Sequence, residues 1–277
     1  MTLHDRHALV TGGARGIGLA IASLLDREGA RISIVSRTVL SNPGVTLSGA
    51  TDNPGVTLSG ATRGSEVEGR IGKDPSVSFF AAQADVTDEA QIRSAFQACR
   101  EANGPIEILV NNAGIAESAP LSRASLAMWD RMIAVNLTGT FVCTREAVGD
   151  MLSAGWGRIV NIASTAGLGG APYISAYCAS KHGVVGFTRA IAAELASTGV
   201  TANAVCPGYT ETEMMERAIA NIMARTGRTQ AQTRELIAKG NPEGRIATAD
   251  EVAQAVLDLI VGSRTGKAVV VPGGAIA

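Results

Sequence analysis

Apolar and polar residues follow two rhythms along this chain. Short apolar runs stand at 7–11, 31–36, 77–84, 106–110, 157–163, 200–206 and 267–271. They are rich in Val, Ile, Leu and Ala, the signature of strands covered on both faces. Between them, apolar positions recur at helical spacing. Leu19, Ala22, Leu24 and Leu25 mark a first helix that ends at Gly29. Ile92, Ala95, Phe96 and Cys99 share one side of a second, over 88–103. Further helical stretches cover 126–152, 177 to about 197, 214–239 with a break near Gly227, and 249–261. Thr248 precedes the last, with Glu251 at capping-box spacing. Strands alternating with helices throughout predict an α/β fold: one doubly wound parallel sheet of about seven strands, with helices on both faces. No linker divides the chain, so 1–277 reads as a single domain.

One region breaks both rhythms. NPGVTLSGAT at 42–51 recurs identically at 53–62, inside an insert spanning about 41–62. Val45, Leu47, Val56 and Leu58 alternate with polar residues, so a hairpin turning at 51–54 is one reading. Disorder is the other, given the Gly, Ser, Thr and Pro content. A tandem duplication without function is the simplest account. A flap over a neighbouring ligand is the sharper one.

Composition narrows the classes. Apolar residues make up 46% and charged residues 18%, which suits a large core. A net charge of -1 gives no basis for binding nucleic acid or an anionic membrane. There is no apolar signal core and no run of membrane-spanning length, so a cytoplasmic location is expected. Cys99, Cys143, Cys178 and Cys206 form no CxxC and read as small core residues; His4, His7 and His182 do not cluster, so no metal site is expected.

Chemistry concentrates in two stretches. The first strand runs into Thr11-Gly12-Gly13-Ala14-Arg15-Gly16-Ile17-Gly18 and then into a helix. Strand, glycine turn and helix is the context in which a Rossmann-type sheet receives a dinucleotide pyrophosphate at a helix N-terminus. The second strand ends in Ser36-Arg37. An acidic residue there would accept hydrogen bonds from an adenosine ribose and favour NAD. Arg37 and Arg15 instead suit a 2′-phosphate, so NADP is favoured and NAD is the alternative. The second stretch, 164–181, sets Ser164 at a strand end, with Tyr177 and Lys181 four apart on one helix face. A tyrosine has a pKa of about 10 in isolation, and a fixed ammonium nearby favours its phenolate. A serine hydroxyl can donate to a carbonyl oxygen as charge develops there.

With these residues in place the chain resembles the short-chain dehydrogenase/reductase family, in its 3-oxoacyl reductase-like branch. The resemblance rests on Thr11, Gly12, Gly16 and Gly18, Asp85, the NNAG at 111–114, Asn136, Ser164, Tyr177, Lys181 and the Pro207-Gly208 turn. It covers nearly the whole chain except about 40–74, where family members carry a helix, and it departs again at Pro272, where many carry an acidic residue. It implies interconversion of a ketone and a secondary alcohol with a nicotinamide cofactor. Tyr177 would be the proton donor in reduction. Lys181 would lower its pKa and hold the nicotinamide ribose. Ser164 would orient the carbonyl, and Asn136 would help hold a water relaying protons to Lys181. Asp85 would contact adenine, with Val86 beside it. Asn112, Ala113 and Gly114 would line the cofactor, and Pro207, Gly208, Thr210 and Thr212 its nicotinamide end. A homo-oligomer, tetramer or dimer, is implied as well.

A mostly apolar substrate pocket is expected between 115–119, 166–173 and a lid at about 209–240. It suits a 3-oxoacyl thioester, an alicyclic ketone or an aromatic ketone. Tyr173 either touches substrate or packs as a further core aromatic. Arg217, Arg225 and Arg228 read as solvated helix faces, with a charged acyl carrier as the alternative. A non-catalytic dinucleotide-binding regulator is the rival function. It would be expected to lack the tyrosine or the lysine, and this chain has both.

Overall fold

Burying aliphatic strands on both faces requires helices above and below the sheet, and the chain supplies them. The computed structural model describes residues 3–38, 46–48, 78–241 and 243–271. Its strands are β1 (His7–Thr11), β2 (Arg31–Ser36), β3 (Thr46–Ser48), β4 (Ser78–Gln83), β5 (Ile108–Asn111), β6 (Gly157–Ile162), β7 (Val200–Pro207) and β8 (Ala268–Val271). Its helices are α1 (Gly16–Arg27), α2 (Glu89–Asn103), α3 (Leu126–Ile133), α4 (Gly139–Ala154), α5 (Ser175–Glu194), α6 (Glu213–Thr226), α7 (Gln230–Ala238) and α8 (Ala249–Val261).

The strands form one sheet in the order β3-β4-β2-β1-β5-β6-β7-β8. Every pairing is parallel. Alternate residues face opposite layers. Ala8 and Val10 of β1 join Ile108 and Val110 of β5 in a core beneath α1 and α8, whereas Leu9 and Leu109 face α2 and α4. All six are fully buried. Burying a Val, Leu or Ile side chain contributes about 1.5–3 kcal/mol, so register is strongly set here.

The sheet has the seven expected strands and an eighth at its edge. That eighth strand, β3, comes from the first copy of the repeat and lies parallel beside β4. The second arm and turn of the expected hairpin lie outside the described residues. The helical region 126–152 is interrupted by a π-helical turn, Ala134–Thr138, between α3 and α4. The 214–239 stretch divides as expected at Gly227, which closes α6 in a left-handed conformation. Thr248 and Glu251 form the expected capping box, and Thr229 and Gln232 form a second that the spacing alone had not marked. Cys99, Cys143 and Cys206 are buried and Cys178 is half-buried, all as free thiols. Among the described residues no helix is long and apolar enough to cross a membrane.

Strand order reverses direction between β1 and β5. Ligands of such sheets sit in the crevice at the carboxyl ends flanking that point. Here those ends are Thr11 and Asn111.

Candidate active site

The glycine loop after β1 is knitted to the loop after β5. The Thr11 hydroxyl accepts from the backbone N–H groups of Asn112 (3.0 Å) and Ala113 (3.1 Å). The Asn112 side chain donates to the carbonyls of Thr11 (2.9 Å) and Gly12 (3.1 Å). A Cβ built on Gly18 would stand 2.4 Å from the Asn112 amide nitrogen, so glycine is required for this approach. Helix α1 begins with no side-chain cap and no acidic residue in its first turn. Its leading N–H groups and positive dipole end therefore suit a bound pyrophosphate. Gly16, at φ +52°, opens toward Thr212, whose methyl would lie 3.6 Å from a Cβ placed there. Thr212 itself caps α6. Beside it, Glu213 takes an ion pair from Arg15 at 2.8 Å, bridging the glycine loop to the lid.

At the carboxyl ends of β2 and β4, a cleft of about 210 Å³ is lined by Arg37, Gln83, Ala84, Asp85 and Gln91. Asp85 accepts from the backbone N–H (2.9 Å) and hydroxyl (2.7 Å) of Thr87 through Oδ1. Arg37 is exposed, and its carbonyl accepts from Gln83 at 2.9 Å. Gln83 and Gln91 carried no distinguishing mark in the sequence; the pairing of β4 with β2 brings Gln83 here, and the first turn of α2 brings Gln91, whose side chain accepts from the Asp85 N–H at 3.0 Å. Ser36 donates to the Thr38 carbonyl. Val86 is buried against Gly139 and Ile17 packs against the core under α1, so neither side chain faces the cleft openly.

Ser164, Tyr177 and Lys181 gather where β6 meets α5. Ser164 follows β6 and caps the short turn Thr165–Gly167, its hydroxyl accepting from Ala166 at 3.1 Å. The same oxygen lies 3.5 Å from the Pro207 carbonyl. Tyr177 and Lys181 stand one turn apart on α5, with Lys181 Nζ 5.8 Å from the Tyr177 ring centroid. The Ser164 hydroxyl is the neighbouring group that acts to lower the pKa of the phenol. Ile115, Ala119, Met128, Met132 and Ala176 form an apolar cluster around Tyr177.

Two further observations describe this cluster. First, burial sets the direction in which the phenol is shifted. It pushes the Tyr177 pKa above its ordinary value, and the Ser164 hydroxyl is the group that opposes the rise. Lys181 Nζ donates to the Ile162 carbonyl at 2.7 Å. Burial also pulls the lysine itself down to about 8. Second, the Asn136 side chain is committed to protein. Its oxygen accepts from Ile115 N–H (2.8 Å), and its nitrogen donates to the Ile115 carbonyl (3.0 Å) and the Ser180 hydroxyl (3.0 Å). Ser180 in turn donates to the Tyr177 carbonyl at 2.8 Å. Asn136 thus braces the loop opposite α5. It can do so because the π-helical turn that carries it aims it inward, a placement common at functional sites.

Beyond this cluster, large apolar side chains reach the surface. Leu168, Tyr173, Tyr209 and Met214 are all substantially exposed. Tyr173 is not a packed core aromatic: it is 65% exposed and adopts φ +70°, an outlier for a bulky side chain. Its carbonyl accepts from Ala119 at 2.8 Å, joining its loop to that of Ala119. The hydroxyl of Thr210 turns to the Gly208 carbonyl.

Comparison with known proteins identifies the family. The family model for short chain dehydrogenase matches residues 6–43 and 50–222. D-beta-hydroxybutyrate dehydrogenase of Rhizobium meliloti (strain 1021) is 36% identical over 253 residues, covering 91% of this chain and 90% of its own. The granaticin polyketide synthase putative ketoacyl reductase 1 of Streptomyces violaceoruber is 38% identical over 257 residues, covering 91% and 85%. A crystal structure of actinorhodin polyketide ketoreductase with NADPH superposes with a TM-score of 0.81 at 33% identity, covering 99% of this chain and 98% of that one. The chain belongs to the short-chain dehydrogenase/reductase family, NAD(P)-binding oxidoreductases that act on hydroxyl and keto groups.

Proposed function

We propose that this protein reduces a ketone to a secondary alcohol, and runs the reverse reaction, with NADP as its cofactor. The observation that carries the reading is the convergence of Ser164, Tyr177 and Lys181 at the carboxyl end of the sheet, beside an uncapped helix and a glycine loop. The cofactor supplies a hydride; the chain supplies position, hydrogen bonds and a proton.

Ser164 donates to the substrate carbonyl oxygen and holds it against the phenol. Tyr177, protonated at neutral pH because burial raises its pKa, gives its proton to that oxygen. Lys181 is a buried cation whose pKa of about 8 lets it exchange protons near neutrality, so it can resupply the phenol. In oxidation the same steps run backwards. Asn136 keeps the 115 loop in register with α5 and holds Tyr177 indirectly, through Ser180.

NADP follows from Arg37 at the end of β2 and Arg15 in the glycine loop, cations that a 2′-phosphate would engage. Asp85, with Oδ1 fixed by Thr87, is set to accept from the adenine amino group. The apolar mouth favours a 3-oxoacyl thioester or an alicyclic or aromatic ketone, and the relatives named above act on substrates of related chemistry. Exposed Trp129, Phe141 and Leu152 on α3 and α4 fit a homo-oligomer, and four free thiols suit a cytoplasmic setting. The test is a panel of such ketones with NADPH and with NADH, followed at the nicotinamide absorbance band. Turnover preferring NADPH supports the reading. Tight cofactor binding without turnover on any ketone would favour the non-catalytic regulator instead.

A further inference from the structure

Asn241 lies where the chain returns from the lid, three residues beyond α7, and it is 4% exposed. All its side-chain bonds go to backbone. Its oxygen accepts from the Tyr209 N–H at 2.7 Å. Its nitrogen donates to the Tyr209 carbonyl at 2.9 Å and to the Arg245 carbonyl at 2.7 Å. The carboxamide thus grips both backbone groups of one residue, as a neighbouring strand would. The segment so held is the one that leaves β7 and passes Ser164.

The fit is close from both sides. A Cβ built on Gly208 would stand 2.3 Å from the Asn241 oxygen. Gly208 does not have a positive φ, so close approach, not backbone freedom, demands glycine there. A Cβ on Gly240 would stand 3.1 Å from the Tyr209 ring. One step further along, Glu211 donates to the Ala247 carbonyl and Ala247 to the Tyr209 carbonyl, each at 2.9 Å. Those backbone bonds close the base of the lid without Asn241. Asn241 takes the Tyr209 N–H, which those bonds leave unpaired, and shares the Tyr209 carbonyl with Ala247; three residues on, Thr212 meets the glycine turn at Gly16.

We infer that Asn241 is a positioning residue for the nicotinamide end of the cofactor site, tying the Gly208–Tyr209 loop to the lid's exit. This rests on the dinucleotide reading above. Removing the carboxamide leaves Tyr209 N–H without its partner and loosens the loop that meets the nicotinamide, while the adenosine cleft at Arg37 and Asp85 stays as it is.

The experiment measures binding of NADPH and of adenosine 2′,5′-bisphosphate, which lacks the nicotinamide half, to the wild type and to Asn241→Ala. Melting temperatures are recorded alongside. The expected result is an NADPH affinity about tenfold weaker with the fragment's affinity unchanged, since a lost buried hydrogen bond costs on the order of one factor of ten. Gly208→Ala, whose methyl strikes the same oxygen with Asn241 intact, should give the same split, and it carries the test alone if Asn241→Ala does not fold. Equal weakening of both ligands would overturn the inference by showing a general structural role. So would no weakening of either. A wild type that binds neither ligand would overturn the dinucleotide reading itself, a result distinct from both.

Discussion

The two ends of the cofactor cleft are built differently. At the chemistry end, Lys181 is 5% exposed and bonded to a β6 carbonyl, Asn136 is 1% exposed with its carboxamide fully engaged, and Ser164 caps the turn that follows its strand. At the adenosine end, Arg37 is exposed at a strand tip and Arg15 is half-exposed, paired with a residue on the lid. Side chains held by buried backbone partners take their geometry from the fold. Side chains on the surface have their positions set by local, weak interactions. On the proposed function, chemistry should be hard to alter here without disturbing the sheet, whereas cofactor preference should be open to single substitutions.

The contrast can be tested by substitutions of decreasing effect. Lys181→Met keeps the length of the side chain but removes the ammonium bonded to Ile162. Turnover should fall about a thousandfold, within the range of acid–base catalysis. A loss below about tenfold in steady-state assays would remove the lysine from the proton path. Next in size is Arg37→Asp, which should shift preference from NADPH toward NADH by about 10- to 100-fold, the scale of charge-assisted bonds to phosphate. Comparing kcat/KM for the two cofactors measures it, and an unchanged ratio would assign the 2′-phosphate elsewhere.

The pH dependence sharpens the chemistry end. Reduction needs a protonated phenol and a protonated lysine behind it. The phenol is raised by burial and stays protonated through neutral pH. The lysine, lowered to about 8, loses its proton first as pH rises. The reduction rate should thus hold level at neutral pH and decline above about 8; a profile flat through that point would mean that the lysine does not resupply the proton. The smallest effect concerns the adenosine end. Glu213 competes for Arg15 through an exposed ion pair, a class of interaction worth about 0–1 kcal/mol. Glu213→Gln should raise NADPH affinity by up to about fivefold and leave NADH affinity unchanged, as read by calorimetry. Equal effects on both would show that Arg15 does not meet the 2′-phosphate.

The same contrast explains what the sequence could reveal. Strand runs such as 157–163, the break at Gly227 and the Thr248–Glu251 cap were legible because each is a local pattern with its own physical cause. The Ser164, Tyr177 and Lys181 constellation was legible because two members share a helix face and the third ends an apolar strand. The interior of 126–152 was not: a π-helical turn follows from tertiary packing, and with it the inward aim of Asn136. The raised phenol was not legible either, because its cause is burial. Two long-range contacts were hidden as well: the Arg15–Glu213 pair, 198 positions apart, and the Asn241 clamp on Tyr209, 32 apart. Neither contact has a spacing to betray it.

The most direct test of the account is Tyr177→Phe, assayed for ketone reduction and for NADPH binding on the same preparation. Only the transferable proton is lost, so turnover should drop about a thousandfold while NADPH affinity stays within about twofold of wild type. Turnover near the wild-type rate would contradict the assignment of Tyr177 as the proton donor, and with it the proposed reaction path.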